Sequence, residues 1–433
     1  MTKPIRSIGL IGAIAIGIGG MVGGGIFAVL GEAVSLAHGA TAVAFLMAGA
    51  VALLTSYAYA KLSVAFQSQG GTVVFIDKAF HHNILSSSMN FMLWLSYLVT
   101  ISLYAVAFSS YAQTFFPHVH SIVLNHFFIT LAILLPTLIN WISAAFVSKS
   151  ETFIVLLKII LLVLIIVTGF SYVDPKSLDP HQWKAPLSIF VAGMVIFVAY
   201  EGFELIANAA EEIKDPERNL PRAFYGSILF VILLYVLIAI ITVGAVPEAQ
   251  LMQAKDYALA LAAKPALGQL GFILVAIAAL LATFSAINAT IYGNARLGFI
   301  IAKEGSLPKF LEREKRNQPL MAIIITSALS LLIANSIPLS QIAIIGSASF
   351  LLIFFMVNLS ALKLHQQIKG KPWLFFIAAM SSLAALITLL VHTYQLHKTA
   401  VMIFFAFLIL SISFELLYGR WVRGHFFYRP YSK

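Results

Sequence analysis

GIGGMVGGGIF at residues 17–27 and AYEGFE at residues 199–204 decide the fold, because each interrupts an apolar run long enough to be a membrane span. Six glycines fall between Gly17 and Gly25. Each costs a helix interior about 1 kcal/mol relative to alanine, so together they predict a helix that opens. Open backbone at membrane depth is tolerated only where protein buries it or it lines a cavity. There its N–H groups can meet a carboxylate and its C=O groups a cation. Two other readings compete. Gly23 to Ala28 match G-x-G-x-x-A, a dinucleotide fingerprint, but no strand precedes them. Gly19 and Gly23 form G-x-x-x-G, a helix-packing motif. The second interruption, five spans later, favours a binding site built from two broken helices, the pattern of an inverted repeat of helices 1–5 and 6–10.

Composition supports membrane burial. Of 433 residues, 61% are hydrophobic and 10% charged. A soluble domain is about 45–50% apolar and about 25% charged, so lipid is the expected solvent. About twelve spans of roughly 20 residues each are predicted, near 7–31, 39–62, 84–113, 122–143, 150–170, 186–209, 222–246, 266–301, 319–337, 340–362, 372–391 and 398–418. Phe116-Pro117, Asp174-Pro175, Asp215-Pro216, Lys264-Pro265, Leu307-Pro308 and Gln318-Pro319 mark the breaks. MTKPIRSIGL runs into the first span without a small-residue cleavage site, which predicts a retained helix rather than a signal peptide.

With the N-terminus in the cytoplasm, inside segments hold about 20 of the 27 Lys and Arg and outside loops about 5. The C-terminus then lies inside as well, with Arg420, Arg423, Arg429 and Lys433. The net charge of +10 is therefore read as topology, not as a nucleic-acid footprint. The absence of cysteine excludes disulfides, thiolate metal sites and a cysteine nucleophile. No H-E-x-x-H, Walker A motif or nucleophile elbow occurs, so ATP-driven pumping and hydrolase chemistry lack their parts. No cofactor or metal is expected, and the chain is expected not to be an enzyme.

Four charges inside the spans are candidates for function. Lys158 sits in FIVLLKIILLVLIIV, roughly 12 Å from the nearer edge at 1.5 Å per residue, too deep for its side chain to snorkel fully. It needs a protein partner, either as a group that loads and releases a proton or as a structural amine on backbone carbonyls. Glu204 lies in the broken sixth helix as a brace or a proton carrier. Glu201, three residues earlier, faces a substrate ammonium or packs between helices. Arg296 lies near the cytoplasmic edge as an anchor or gate. Tyr97, Tyr104 and Tyr111 recur every seven residues on one helix face, as aromatic caps or as ordinary packing.

At these residues the chain resembles the amino acid–polyamine–organocation superfamily of permeases, and most of all its proton-coupled, broad-specificity prokaryotic members. GGMVGGGIF (19–27), AYEGFELIANAAEEIKDPERNLPRA (199–223) and FSAINATIYGNARLGFIIAKEGSLPKF (284–310) carry the resemblance, which covers essentially the whole chain. It implies an all-α membrane protein of the leucine-transporter fold: a ten-helix inverted-repeat transport core at 1–364, then helices 11–12 and a cytoplasmic tail at 365–433. It implies a substrate carboxylate on the N–H groups of Val22, Gly23, Gly24 and Gly25, beside Ile26. The amino group would meet carbonyls near Phe197, Val198 and Tyr200, with Tyr97 and Glu201 facing the site. Lys158 falls where proton-coupled members carry a lysine in place of a sodium ion. It would contact carbonyls near Gly19 and along Ala282–Ser285.

The implied function is proton-coupled amino-acid symport by a monomer in the cytoplasmic (inner) membrane. Its partners would be substrate, protons and the lipid bilayer, with no nucleic acid. An amino acid or polyamine exchanger is the alternative. A membrane-embedded enzyme would need a polar catalytic cluster that the sequence lacks, and a channel would not need paired broken helices. Two features depart from the common pattern. Glu201 stands where many relatives carry an apolar residue, which points to cationic substrates or to a second proton site. The Gly23-Gly24-Gly25 run leaves room for large substrate side chains.

Overall fold

The computed structural model describes residues 6–119, 121–142, 144–303, 305–314 and 318–423. Arg429 and Lys433 of the basic tail lie outside the described residues. Among the described residues there is no strand. One isolated bridge joins Ile8 to Ile213 and ties the N-terminus beside the segment after the second break. There the Ile8 N–H donates to the Glu212 carbonyl at 3.0 Å and the Lys214 N–H to the Ile8 carbonyl at 2.9 Å.

The first span is two half-helices, α1 (Leu10–Met21) and α2 (Gly25–Ala37). Then follow α3 (Thr41–Ala65), α4 (Gly71–Phe80), α5 (Ile84–Gln113), α6 (Ile122–Ile142) and α7 (Ala144–Gly169). The sixth span is also divided. α8 (Pro186–Val195) passes through a 3-10 turn at Phe197–Tyr200 into α9 (Leu205–Asn208), with a bend of 54°. After α10 (Pro216–Ala245) come two short helices, α11 (Glu248–Gln253) and α12 (Ala258–Ala262). The chain finishes with α13 (Lys264–Lys303), α14 (Leu320–Ser336), α15 (Leu339–Lys363), α16 (Pro372–Leu396) and α17 (Lys398–Tyr418).

By length and composition, nine stretches among the described residues can cross a membrane, or ten with the bent pair counted as one. One of the nine, Gly25–Ala65, has 41 residues, about twice what a crossing needs. It divides at His38, where φ is +49°, into α2, which continues α1, and α3. With α14, this accounts for the twelve expected spans.

Helix ends differ from expectation where local chemistry overrides hydropathy. α10 begins six residues before the expected 222, because Pro216 at its first turn starts the helix in polar sequence. α13 includes Lys264-Pro265, but Gly268 (φ +61°, ψ −153°) kinks it there. α4 lies outside the predicted spans, since its ten residues are too short for one, yet it is held by buried Val73, Phe75 and Ile76 while Lys78 stays exposed.

The packing shows the repeat. α1 packs on α10 as α8 packs on α3. α7 packs on α13 as α15 packs on α5, and α6 on α13 as α14 on α5. Each pair becomes the other when the first five spans are exchanged for the next five. This is the leucine-transporter arrangement, with both broken helices at its centre. α5 is its most enclosed member, 94% buried over its most apolar window, against 22% for the window of 154–172. α16 and α17 lie outside the ten, against α3 and α15, and α5 and α15, respectively.

Candidate functional site

The two breaks meet backbone to backbone. A methyl group added to Gly20 would come within 2.6 Å of the Gly202 carbonyl oxygen, and one added to Gly25 within 2.9 Å of the Ala199 Cα. Gly202 has φ +115°, a conformation that other residues rarely adopt. Tyr235 on α10 ties the breaks together, its hydroxyl within 2.7 Å of the Met21 carbonyl and 3.2 Å of the Ala199 carbonyl. Ser347 on α15 holds the sixth span open: it accepts from the Val198 N–H at 2.9 Å and donates to the Val195 carbonyl at 2.7 Å. Phe203 anchors the far side of that break in a nest of Tyr59, Phe224 and Phe354, with ring centroids 5.3, 6.4 and 5.1 Å away.

The three tyrosines on one face of α5 all turn toward the breaks. Tyr97 donates to Glu204 Oε1 at 3.1 Å, Tyr104 to Glu201 Oε2 at 3.3 Å and Tyr111 to the Phe27 carbonyl at 3.2 Å. Glu204 Oε2 also accepts from the Gly202 N–H at 2.8 Å, so this carboxylate braces the unwound segment.

A cavity of about 280 Å³ begins at the breaks and runs toward the face that carries α4 and the N-terminus. Tyr104, Glu201, Lys158 and Ser285 form its buried end, and exposed Gln69, Asn208 and Arg296 its mouth. Lys158 is 3% exposed. It lies on the same stripe of α7 as buried Leu162 and Ile165, while Leu156, Ile160 and Val167 face outward. Its ammonium therefore points into the protein, where Nζ donates to the Gly19 carbonyl at 3.3 Å, one turn before the first break.

The sequence-derived residues divide into two sets. Gly19, Tyr97, Lys158, Glu201, Ser285 and Arg296 all line this cavity. Val22, Gly23, Gly24, Gly25, Ile26, Phe197, Val198, Tyr200, Ala282 and Glu204 are buried behind it. Within the first break the Val22 N–H is engaged by the Ile18 carbonyl at 2.8 Å and the Gly23 N–H by the Gly20 carbonyl at 3.3 Å. The first N–H groups of α2, from Gly25 and Ile26, have no acceptor within their own helix. The ring of Tyr104 lies directly on Gly24. Arg296 donates to the Tyr292 hydroxyl at 2.6 Å at the mouth. Tyr235 and Ser347 escaped sequence reasoning, because a single hydroxyl in an apolar helix has no spacing to betray its target.

The opposite face is covered. α11 and α12 fold onto α2, with Val34, Val243, Val246, Leu251, Ala254, Ala258 and Leu261 in one apolar cluster. Lys255 pairs with Glu32 at 2.5 Å, and His38 pairs with Glu248. Burial raises the Asp256 carboxyl above its ordinary value; Lys255 beside it acts in the other direction.

A family model described as "Amino acid permease" matches residues 8–414. The chain belongs to the amino acid permease family. It is 34% identical to an uncharacterized protein of Methanocaldococcus jannaschii over 99% of both chains. It is 31% identical to the inner membrane transport protein YbaT of Escherichia coli, over 96% of this chain and 97% of that one. The branched-chain amino acid permease BcaP of Bacillus subtilis is 24% identical, over 96% and 93%. This permease is thus a multi-span membrane transporter of amino acids, not an enzyme. Its paired broken helices are the structural expression of that membership.

Proposed function

We propose that this permease is a proton-coupled amino-acid symporter of the cytoplasmic membrane, monomeric and with both termini in the cytoplasm. One observation carries the reading: the buried Lys158 ammonium holds the Gly19 carbonyl of a broken helix while lining a cavity open to one face. A buried lysine costs about 3 kcal/mol to insert, so its charge must be compensated in each state it visits. Protonated, Lys158 fastens α7 to α1. Deprotonated, it loses the ionic part of that bond, and α1 is freer to move against α7. Proton loading on one face and release on the other couples this change to the gradient.

The substrate carboxylate takes the N–H groups of Gly24, Gly25 and Ile26, and its ammonium the carbonyls of the Phe197–Tyr200 turn. Tyr104 must leave Gly24 for this to happen. The arrangement described is then the inward-open state, with α11 and α12 as the closed outer cover. The ten spans of 1–364 carry this cycle, and 365–433 flank them. A cavity of about 280 Å³ suits one small solute rather than a peptide.

Uptake of radiolabelled amino acids into proteoliposomes tests the proposal. An inward proton gradient should stimulate uptake, and Lys158→Ala should remove the stimulation. Uptake that ignores the gradient but is accelerated by amino acid preloaded inside would identify an exchanger instead.

A further inference from the structure

The carboxylates at the sixth-span break have unequal surroundings. Glu204 is satisfied by the protein on both oxygens, by Tyr97 and by the Gly202 N–H. Glu201 is 4% exposed and lines the cavity. Among the described residues it receives one hydrogen bond, the long 3.3 Å contact from Tyr104, and no basic side chain pairs with it. Lys158, which shares the cavity, is engaged on the Gly19 carbonyl. A buried carboxylate with so little compensation calls for a cation.

Position narrows what that cation is. Glu201 stands at the boundary between the closed backbone niche, at Gly24, Gly25 and Val198, and the open cavity beyond Gly202 and Leu205. A substrate held by its α-carboxylate and α-ammonium in the niche must send its side chain into that cavity. Asn294, on α13, also lines it. Asn294 is 1% exposed, and neither its amide nitrogen nor its amide oxygen has a partner. The cavity wall is largely apolar, with Leu93, Leu205, Leu297 and Ile300, and also carries the Glu201 carboxylate, so it suits an aliphatic stem that ends in a positive charge.

We infer that Glu201 is the subsite for a second positive charge, and that the preferred substrates are amino acids with an ammonium or guanidinium side chain. The inference rests on the transport reading above, with Glu201 setting specificity rather than coupling. The bidentate fit of a guanidinium and the point charge of an ammonium both suit a lone carboxylate.

The test compares pairs that differ in the side-chain charge alone: lysine with norleucine, and ornithine with norvaline, as competitors of uptake in proteoliposomes. In the wild type each cationic member should compete at least about tenfold better than its neutral partner, and Glu201→Gln should shrink that ratio about tenfold, as removal of one partner of a buried charge pair does. Glu201→Asp should restore part of it. Equal competition by lysine and norleucine in the wild type overturns the inference, and that result needs no variant to fold. A ratio unchanged by Glu201→Gln overturns it as well and leaves Glu201 as a proton or packing group. Absence of all amino-acid uptake would instead defeat the transport reading.

Discussion

At the scale of single residues, the site depends on the Gly202 backbone and on the Tyr235 hydroxyl. Gly202 sits at φ +115°, and a methyl group on it would come within 2.7 Å of the Met21 nitrogen. Gly202→Ala should therefore separate the two breaks, lowering stability by about 1–3 kcal/mol and abolishing uptake. Thermal unfolding in detergent and uptake assays read the two effects. Tyr235→Phe removes one hydroxyl that serves two carbonyls. It should cost about 1–3 kcal/mol by leaving buried acceptors unpaired, with a lower melting temperature and weaker substrate binding. The glycines of both breaks and the deep lysine were visible in the sequence because each violates the expectations of an apolar helix. Tyr235 was not, since a tyrosine in a span violates none. The fate of each N–H in the first break was equally hidden: Val22 and Gly23 turn back on the carbonyls of Ile18 and Gly20, which only the backbone path reveals.

At the scale of elements, the long spans follow from hydropathy, and the short helices do not. α4, α11 and α12 have ten, six and five residues, too few to register as periodic signals. Yet α11 and α12 form the cover over one face of the site. Asp256 in that cover makes its closure dependent on pH. Its carboxyl is raised above 3.8 by burial, so the closed cover favours the protonated form. The stabilisation is fully present below 3.8 and is lost as pH rises through the raised value. Hydrogen exchange of residues 248–262 should therefore quicken as pH climbs through that window, after correction for intrinsic rates. Asp256→Asn should flatten the dependence, and exchange that slows with rising pH would contradict the assignment.

At the scale of the molecule, the paired breaks and the pairwise packing make the two halves of the core equivalent in connectivity. The described state is nevertheless asymmetric, open on the face of α4 and covered on the face of α11 and α12. The chain has no cysteine, so introduced thiols report without background. Asn208→Cys at the mouth should react with an impermeant reagent from the cytoplasmic side only, and substrate should slow that reaction as the cavity closes. Reaction from the outer side would reverse the orientation inferred from the Lys and Arg distribution.

The proposed symport requires substrate and proton to move together as Lys158 exchanges its proton during the cycle. Its most direct test is the internal pH of proteoliposomes carrying a trapped pH-sensitive dye, followed after amino acid is added outside with no gradient imposed. Symport through Lys158 should give acidification that keeps pace with uptake in the wild type and is absent with Lys158→Ala. Uptake without acidification in the wild type would contradict it.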